Sequence, residues 1–295
     1  MISRHLAVWS LLLFLGCEAE PATNRAAPDR KAETRPDPRF PVVSAQASQL
    51  QPLPDNSLTT NEYIRLGLPA PDRHWLGTEF GGIASTIEQL AEEDATKLPR
   101  FQSVKSGDVF ARLVSHENFE FYRDARYPLP QRLAEALAHM EGLNRVLSRY
   151  LTISTQRTGL GGEVIELAGA IMRISVLMRD LSGEMLPQLD PNDYAYPTRM
   201  EGYERMKRGF AMTCAGGLQM LAETDRYEIT DLQRLLDHLL ATLPSMMPHL
   251  SEGSQLENLV QIEKLIENPK LKELRLDLRE LHARLKSQHQ GHRPS

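Results

Sequence analysis

The spacing of apolar residues constrains the fold of this chain more than any other feature. Beyond residue 57 they recur at intervals of three and four, with almost no sustained strand-type alternation. This interval follows the 3.6-residue turn of an α-helix and puts the apolar residues on one face. The clearest runs lie at 133–151, 164–185 and 271–285. The sequence therefore predicts an all-α fold, an irregular multi-helix bundle.

Capping residues indicate where some helices begin. Thr198–Glu201, Thr230–Gln233 and Ser254–Glu257 have the spacing of capping boxes, in which paired side chains bind free backbone N–H groups. Residues 106–123 are predicted to be helical, with a second start signal at Ser115 that would split the segment. The leucines at 271–285 suit docking inside the domain better than a coiled coil, because two heptads are short for one.

Composition limits the classes of function. A chain of 295 residues with 41% hydrophobic and 25% charged residues can bury a sizeable core. Its formal net charge of -5 lacks the positive field of a nucleic-acid binder. Cys17 and Cys214 are too few for a disulfide scaffold and are not expected to pair. We therefore predict a globular protein that does not bind nucleic acid.

The first 17 residues have the three parts of a secretory signal. Arg4 precedes the apolar run Leu6–Leu15. Gly16 and Cys17 follow this run, and a polar stretch comes after them. The run has about half of the roughly 20 residues that a membrane-spanning helix needs. A cleaved or anchored N-terminus therefore fits better than a permanent transmembrane helix.

Residues 13–17, with the sequence LFLGC, resemble the lipobox of bacterial lipoproteins, in which a small residue precedes a cysteine at the cleavage point. Lipoboxes usually have leucine where this chain has Phe14. The resemblance covers only the first 17 residues and implies that Cys17 becomes the acylated N-terminus; an ordinary signal peptide with an incidental Cys17 is the alternative. The resemblance, with Glu18 rather than aspartate next, implies a lipid-anchored protein of the bacterial cell envelope, at the outer membrane and facing the periplasm or the exterior.

Four segments follow from these patterns. Residues 1–16 are the predicted signal peptide, and residues 17–57 the lipid anchor and a disordered, proline-rich tether. The helical domain is predicted to span residues 58–288, and a disordered tail residues 289–295. A sub-boundary near 125–130 would separate a small N-terminal helical part from a C-terminal bundle, and a single irregular domain is the alternative.

Histidine and methionine provide the metal-ligand candidates. His116 begins the sequence HENFE, which lacks the second histidine of a zinc-protease helix, and His139 lacks the repeated partner set of a di-iron bundle. Thioether sulfur suits Cu(I), and the densest group is Met246, Met247 and His249. Core packing is the alternative, because methionine fills irregular cores well. The sequence predicts no cofactor.

Two other features suggest a binding surface. Gly216 and Gly217 follow Cys214 inside a predicted helix, where each glycine costs about 1 kcal/mol relative to alanine. A close helix contact, a kink or a cleft would explain that cost, and Cys214 itself is predicted to be a core residue. Tyr194 and Tyr196 are candidates for an exposed aromatic patch that binds a partner, unless they pack over the helix end.

No motif is specific enough to name a reaction. The leading hypothesis is a non-enzymatic, envelope-anchored module for binding, adaptation or assembly, held to the membrane by acylated Cys17 and contacting a protein or an envelope polymer. The alternative is an enzyme or a copper-handling protein whose site forms only in three dimensions. The residues that would then matter are His116, Glu120, His139, Met246 and His249.

Overall fold

The structure is a computed structural model that describes residues 50–291. Within this range the chain consists of helices and connecting turns, and its one extended pairing is an isolated bridge between Pro52 and Thr158. The predicted all-α fold is confirmed. The predicted signal peptide, Cys17, most of the predicted tether and residues 292–295 lie outside the described residues.

The α-helices are numbered here in chain order. Short 3-10 helices at Ala95–Lys97, His116–Phe119, Leu186–Gln188, Met247–His249 and Pro269–Leu274 lie between them. No helix within residues 50–291 is long and apolar enough to cross a membrane. The α-helices are α1 (Thr60–Arg65), α2 (Gly77–Asp94), α3 (Gly107–Leu113), α4 (Glu120–Arg123), α5 (Leu129–Ser154), α6 (Gly161–Met185), α7 (Tyr196–Ala222), α8 (Ile229–Met246), α9 (Glu252–Glu267) and α10 (Arg275–Gly291).

Helix α6 is the centre of the bundle. It packs along α5 on one side and α8 on another, with fewer contacts to α7, and α5 in turn packs along α2. Of the 25 residues in α6, 15 are buried, so the helix is covered on most of its surface. Small residues allow the close approach of α5 and α2, because a Cβ atom at Gly142 would lie 2.6 Å from the Cβ atom of Phe80.

The C-terminal leucines dock inside the domain, as their spacing predicts. Helix α10 packs against α9 and α8, and its leucines join the same hydrophobic core as the residues of α2 and α5. The apolar stripe is buried along its full length, with every member at most 2% exposed: Leu271, Leu274, Leu278, Leu281 and Leu285.

The structure corrects the predicted helix starts. Helices α7, α8 and α9 begin two, one and two residues before Thr198, Thr230 and Ser254. The hydroxyl of Ser251 accepts the backbone N–H of Ser254 at 3.2 Å, so Ser251 is the cap of α9. The start signal at Ser115 does divide the segment 106–123, because its hydroxyl accepts the N–H of Glu117 at 3.2 Å and begins a 3-10 helix.

The folded part extends beyond both predicted ends of the helical domain. Residues 51–57, which the sequence assigns to the tether, lie against the domain: the N–H of Leu53 donates to the Thr158 carbonyl at 2.9 Å, and Leu53 is buried. Helix α10 continues through His289, whose Nδ1 lies 2.7 Å from Oε1 of Gln255. Described structure is thus present on both sides of the predicted boundaries at 57 and 288.

The segment 125–130 does not divide the core. The hydroxyl of Tyr122 on α4 lies 2.9 Å from Nδ1 of His139 on α5. A guanidinium N–H of Arg132 donates to the Tyr122 carbonyl at 3.3 Å. Buried apolar residues on both sides of the segment belong to one cluster, which fits the single irregular domain.

Candidate functional site

His139 lies in an aromatic cage inside the domain. Its ring stacks on Phe80 with the centroids 3.6 Å apart, and the Phe119 ring is 5.1 Å away. The Tyr122 hydroxyl binds its Nδ1, whereas Nε2 has no hydrogen-bond partner among the described residues. Burial lowers the pKa of His139 to about 3, so the ring is neutral at physiological pH. The rings of Phe80, Phe119 and Tyr122 lie around it.

His116 and Glu120 lie away from this cage on the surface. His116 is exposed on a 3-10 helix, and the Glu120 carboxylate pairs with Arg123 at 3.4 Å. The structure therefore separates His116, Glu120 and His139, which the sequence suggests as candidates for one site. Within residues 50–291, no three His, Cys, Asp or Glu side chains come together in a way that could hold a metal ion.

The predicted copper group at the end of α8 is also divided. Met247 is fully buried, with its sulfur 3.9 Å from Nδ2 of Asn258. Met246 lines a small cavity between α6, α7 and α8, and His249 is half-buried in the 3-10 helix that follows. Adjacent residues of a helix point about 100° apart, so neighbours in sequence need not face one site.

The two candidate tyrosines do not form an aromatic patch. Tyr194 is 97% exposed, whereas Tyr196 is half-buried at the first turn of α7. The turn between them is fixed by an ion pair of 2.9 Å between Arg199 and Asp193. One exposed ring is ordinary for a protein surface and does not identify a binding site.

A cleft between α5, α6 and α7 has a mainly apolar lining. Its volume is about 520 Å³, open solvent at its mouth included. Leu147 and Leu151 of α5 form one wall, and Ala168, Ile171 and Met172 of α6 form the next. Ligand sites are usually concave and apolar with a few polar groups, so this cleft is the candidate site.

The glycine pair of α7 shapes the cleft. Gly216 and Gly217 both line it. A Cβ atom at Gly217 would lie 2.4 Å from Cε of Met172 and 3.0 Å from Cδ2 of Leu239, so this position allows side chains of α6 and α8 to approach the α7 backbone. The predicted close approach of another helix is therefore observed at Gly217.

Polar residues surround one end of the cleft, and Arg226 organises them. Its guanidinium donates to the Ser154 hydroxyl at 2.6 Å and to the Leu151 carbonyl at 3.3 Å, at the C-terminal end of α5. It also pairs with the Glu223 carboxylate at 3.3 Å. These contacts hold the loop after α7 against α5 and fix the guanidinium at the cleft margin.

Arg226 and Tyr227, which line this end, each have a buried polar atom without a hydrogen-bond partner among the described residues: Nε of Arg226 and the hydroxyl of Tyr227. Tyr227 is only 5% exposed, and burial raises the pKa of its hydroxyl, which stays protonated. A buried polar atom without a partner costs about 1–3 kcal/mol. A ligand that hydrogen-bonds to these atoms would recover that free energy.

A second cluster of polar groups joins α6 to α8, and no contiguous sequence motif predicts it. Nε2 of His238 lies 3.4 Å from a Glu166 carboxylate oxygen, and its Nδ1 lies 3.3 Å from an Arg173 guanidinium nitrogen. Burial raises the pKa of Glu166, but the neighbouring side chains of His238, Arg234 and Arg173 hold it below its ordinary value. A Cβ atom at Gly169 would lie 2.3 Å from the His238 ring.

This cluster belongs to the helix interface and not to the cleft. Arg173 also donates to the Val114 carbonyl at 2.8 Å, which joins the end of α3 to α6. None of His238, Glu166 and Arg173 lines the cleft or the smaller cavity beside it. We interpret the cluster as a polar cross-link between α3, α6 and α8.

The cleft thus combines apolar walls from three helices with Arg226 and Tyr227 at one end, each of which has one buried polar atom without a partner among the described residues. Its charged groups, Glu223 and Arg226, neutralise each other. Such a lining favours a ligand that is mainly apolar and carries a neutral hydrogen-bonding group. No protein-family model matches the chain, and comparison with curated proteins and with solved structures gave no match.

Proposed function

We propose that this protein is an anchored binding module of the bacterial cell envelope, and that its cleft holds an apolar segment of a protein partner. The observation that carries the proposal is the pairing of an apolar lining with the unpartnered Nε of Arg226 and hydroxyl of Tyr227. A protein segment provides both complements, an apolar side chain for the walls and a backbone carbonyl for the two polar atoms.

The free energies of burial and of hydrogen bonding support an apolar side chain as the bound group. Burial of one large apolar side chain contributes roughly 1.5–3 kcal/mol, and satisfying a buried polar atom contributes a comparable amount. The walls of α5 and α6 offer aliphatic and thioether groups to such a side chain. A cell-wall polymer lacks large apolar side chains and would leave these walls without a complement, so a protein segment is favoured over an envelope polymer.

The anchor has a distinct role in this proposal. Acylation of Cys17 would hold the chain at the membrane, since several acyl chains bind a bilayer far more durably than one. A tether between the anchor and the domain would raise the local concentration of the cleft near envelope proteins. The test is labelled-palmitate incorporation with Cys17→Ala as the control: loss of label and release from membranes in the variant support the anchor, and an unlabelled wild type contradicts it.

The cleft is tested by photo-crosslinking in cells that express the full chain. A benzophenone amino acid replaces Gln219 at the cleft in one strain and exposed Lys286 on α10 in another. The proposal predicts a discrete protein adduct from position 219 that is absent from position 286. The additional substitution Thr213→Trp, which introduces a large ring at the cleft, should suppress this adduct.

Met212→Trp is the matched control, because Met212 is adjacent on α7, equally half-buried and not part of the cleft lining. It should leave the adduct unchanged. Circular dichroism of both variants shows whether they remain folded. The same adducts from positions 219 and 286, or an equal loss in both tryptophan variants, would contradict binding in the cleft.

A further inference from the structure

A smaller cavity of about 200 Å³, surrounding open space included, lies beside the cleft, between α6, α7 and α8. Met172 and Thr213 line both spaces, so the two are neighbours separated by these side chains. The rest of its lining consists of Cys214, Leu239, Thr242, Leu243 and Met246. The cavity is therefore walled by aliphatic groups, hydroxyls and sulfur.

Three sulfur-containing residues line this one small space, each from a different helix. Met172 belongs to α6, Cys214 to α7 and Met246 to α8. The terminal methyl group of Met172 lies over Gly217, where a Cβ atom would come within 2.4 Å of it, so the glycine leaves room for the Met172 side chain. Cys214 is a free thiol and is 4% exposed.

The charge of the lining limits which ion could bind. The cavity has no carboxylate, imidazole, ammonium or guanidinium group in its lining, so Cys214 alone can provide a negative charge. A monovalent cation and one thiolate form a neutral pair, whereas a divalent cation would leave a net positive charge in an apolar space, which is costly. The hydroxyl of Thr242 is already used, because it donates to the His238 carbonyl at 2.7 Å.

We propose that Met172, Cys214 and Met246 form a binding site for a monovalent soft cation, Cu(I). Thiolate and thioether sulfur prefer Cu(I) over hard cations. On binding, the S–H bond of Cys214 breaks, a Cu–S bond forms and the proton leaves to solvent, while the two thioethers donate lone pairs. No electron is transferred, because copper arrives and stays as Cu(I).

The proton that leaves on copper binding is the one that the Cys214 thiol carries when no metal is bound. Burial raises the pKa of its thiol to about 12, so the group is protonated and unreactive at neutral pH. Metal binding must displace that proton, and affinity should therefore rise with pH. This site differs from the group that the sequence suggested, since only Met246 is common to both.

The test uses the full chain with Cys17→Ala, which leaves Cys214 as its one cysteine. Under anaerobic conditions the protein competes with bicinchoninate for Cu(I), and absorbance of the bicinchoninate complex reports the affinity. We expect one site, loss of that site in Cys214→Ser, and affinity at least about tenfold lower in Met172→Leu and Met246→Leu. Excess Zn(II) should not displace the copper.

Met247→Leu is the matched control, because Met247 is adjacent and fully buried but does not line the cavity. Its Cu(I) affinity should equal that of the parent. Circular dichroism identifies any variant that fails to fold, and sulfur-only scattering in X-ray absorption at the copper edge gives a second readout on the parent chain. Failure of the parent to compete, or equal losses in Met246→Leu and Met247→Leu, would overturn the proposal.

Discussion

Two regions of this molecule use buried tyrosine in opposite ways. In the N-terminal region, α1 to α5, the hydroxyls of Tyr63 and Tyr150 donate to the carbonyls of Lys97 and Pro99, both at 2.6 Å. Beside the cleft, the hydroxyl of Tyr227 has no such partner among the described residues. The hydroxyls of Tyr63 and Tyr150 are therefore bonded within the fold, whereas that of Tyr227 has no bond within the described part of the chain.

The two regions also differ in the side chains that fill them. The largest fully buried side chains, which are aromatic, all precede residue 151 and fill the N-terminal region: Tyr63, Trp75, Phe80, Phe110, Phe119, Tyr122 and Tyr150. Around α7 the lining is aliphatic and sulfur-rich, and it encloses the cleft and the smaller cavity. Aromatic rings fill the first region, whereas at Gly217 the side chains of Met172 and Leu239 pack onto the α7 backbone.

The largest expected contrast is in truncation of a core residue. Phe80→Ala removes a ring that stacks on His139 and should cost about 3–5 kcal/mol of unfolding free energy. Met220→Ala should cost less, about 2 kcal/mol, because the side chain already borders the cleft. Urea unfolding monitored by circular dichroism measures both. Equal losses would show that the cleft region is packed as tightly as the aromatic one.

Acid should lower the stability of the protein through His139, which is buried in the N-terminal region. Its pKa is lowered from about 6.5 to about 3 on folding, so the unfolded chain binds the proton first and stability falls as pH drops from 6.5 towards 3. Between pH 7 and pH 4.5 the wild type should lose about 2–3 kcal/mol more than His139→Phe. Parallel urea titrations at the two pH values test this, and identical pH dependence would place His139 in a solvated site.

The tyrosines provide a matched pair of substitutions. Tyr150→Phe leaves the Pro99 carbonyl without its donor and should cost about 1–2 kcal/mol. Tyr227→Phe removes a hydroxyl that has no partner among the described residues, so stability should be unchanged or should rise by up to about 1 kcal/mol. Thermal unfolding resolves the two. A comparable loss in Tyr227→Phe would mean that its hydroxyl is already bonded.

The smallest expected contrast lies within α7. A Cβ atom at Gly202 meets nothing within 4 Å, so Gly202→Ala should stabilise the protein by about 0.5–1 kcal/mol. Gly217→Ala should destabilise it by about 1 kcal/mol, because its Cβ atom would meet Met172 and Leu239. Denaturation midpoints of the two variants check the signs. Stabilisation by both would contradict the close contact at Gly217.

Periodicity made the helices predictable, because a repeat of three and four residues fits only one regular backbone. The glycine pair also signalled a close contact or a cleft, since two adjacent glycines inside a helix need a reason. The end of the cleft could not be predicted in this way: Arg226 reaches Ser154, which is 72 residues earlier in the chain. Contacts of that range depend on how the helices pack and leave no local pattern.

The candidate metal ligands also show that contacts between distant residues cannot be predicted from local sequence. Met246 and Met247 are neighbours in sequence, but the first lines a cavity and the second packs against Asn258. The sequence makes His139 a candidate ligand, but in the structure its ring packs against the rings of Phe80 and Phe119. Sequence identifies which side chains can donate to a metal, but only the packing of α6, α7 and α8 brings Met172, Cys214 and Met246 to one space.

The most direct measurement of the central claim is the identity of the residue that crosslinks to position 219. Mass spectrometry of the purified adduct gives both the partner and the attached residue. Binding in the cleft predicts attachment within an apolar segment of one protein and loss of that linkage in Thr213→Trp. Attachment to a sugar polymer or a lipid, or to many unrelated proteins at polar surface residues, would contradict it.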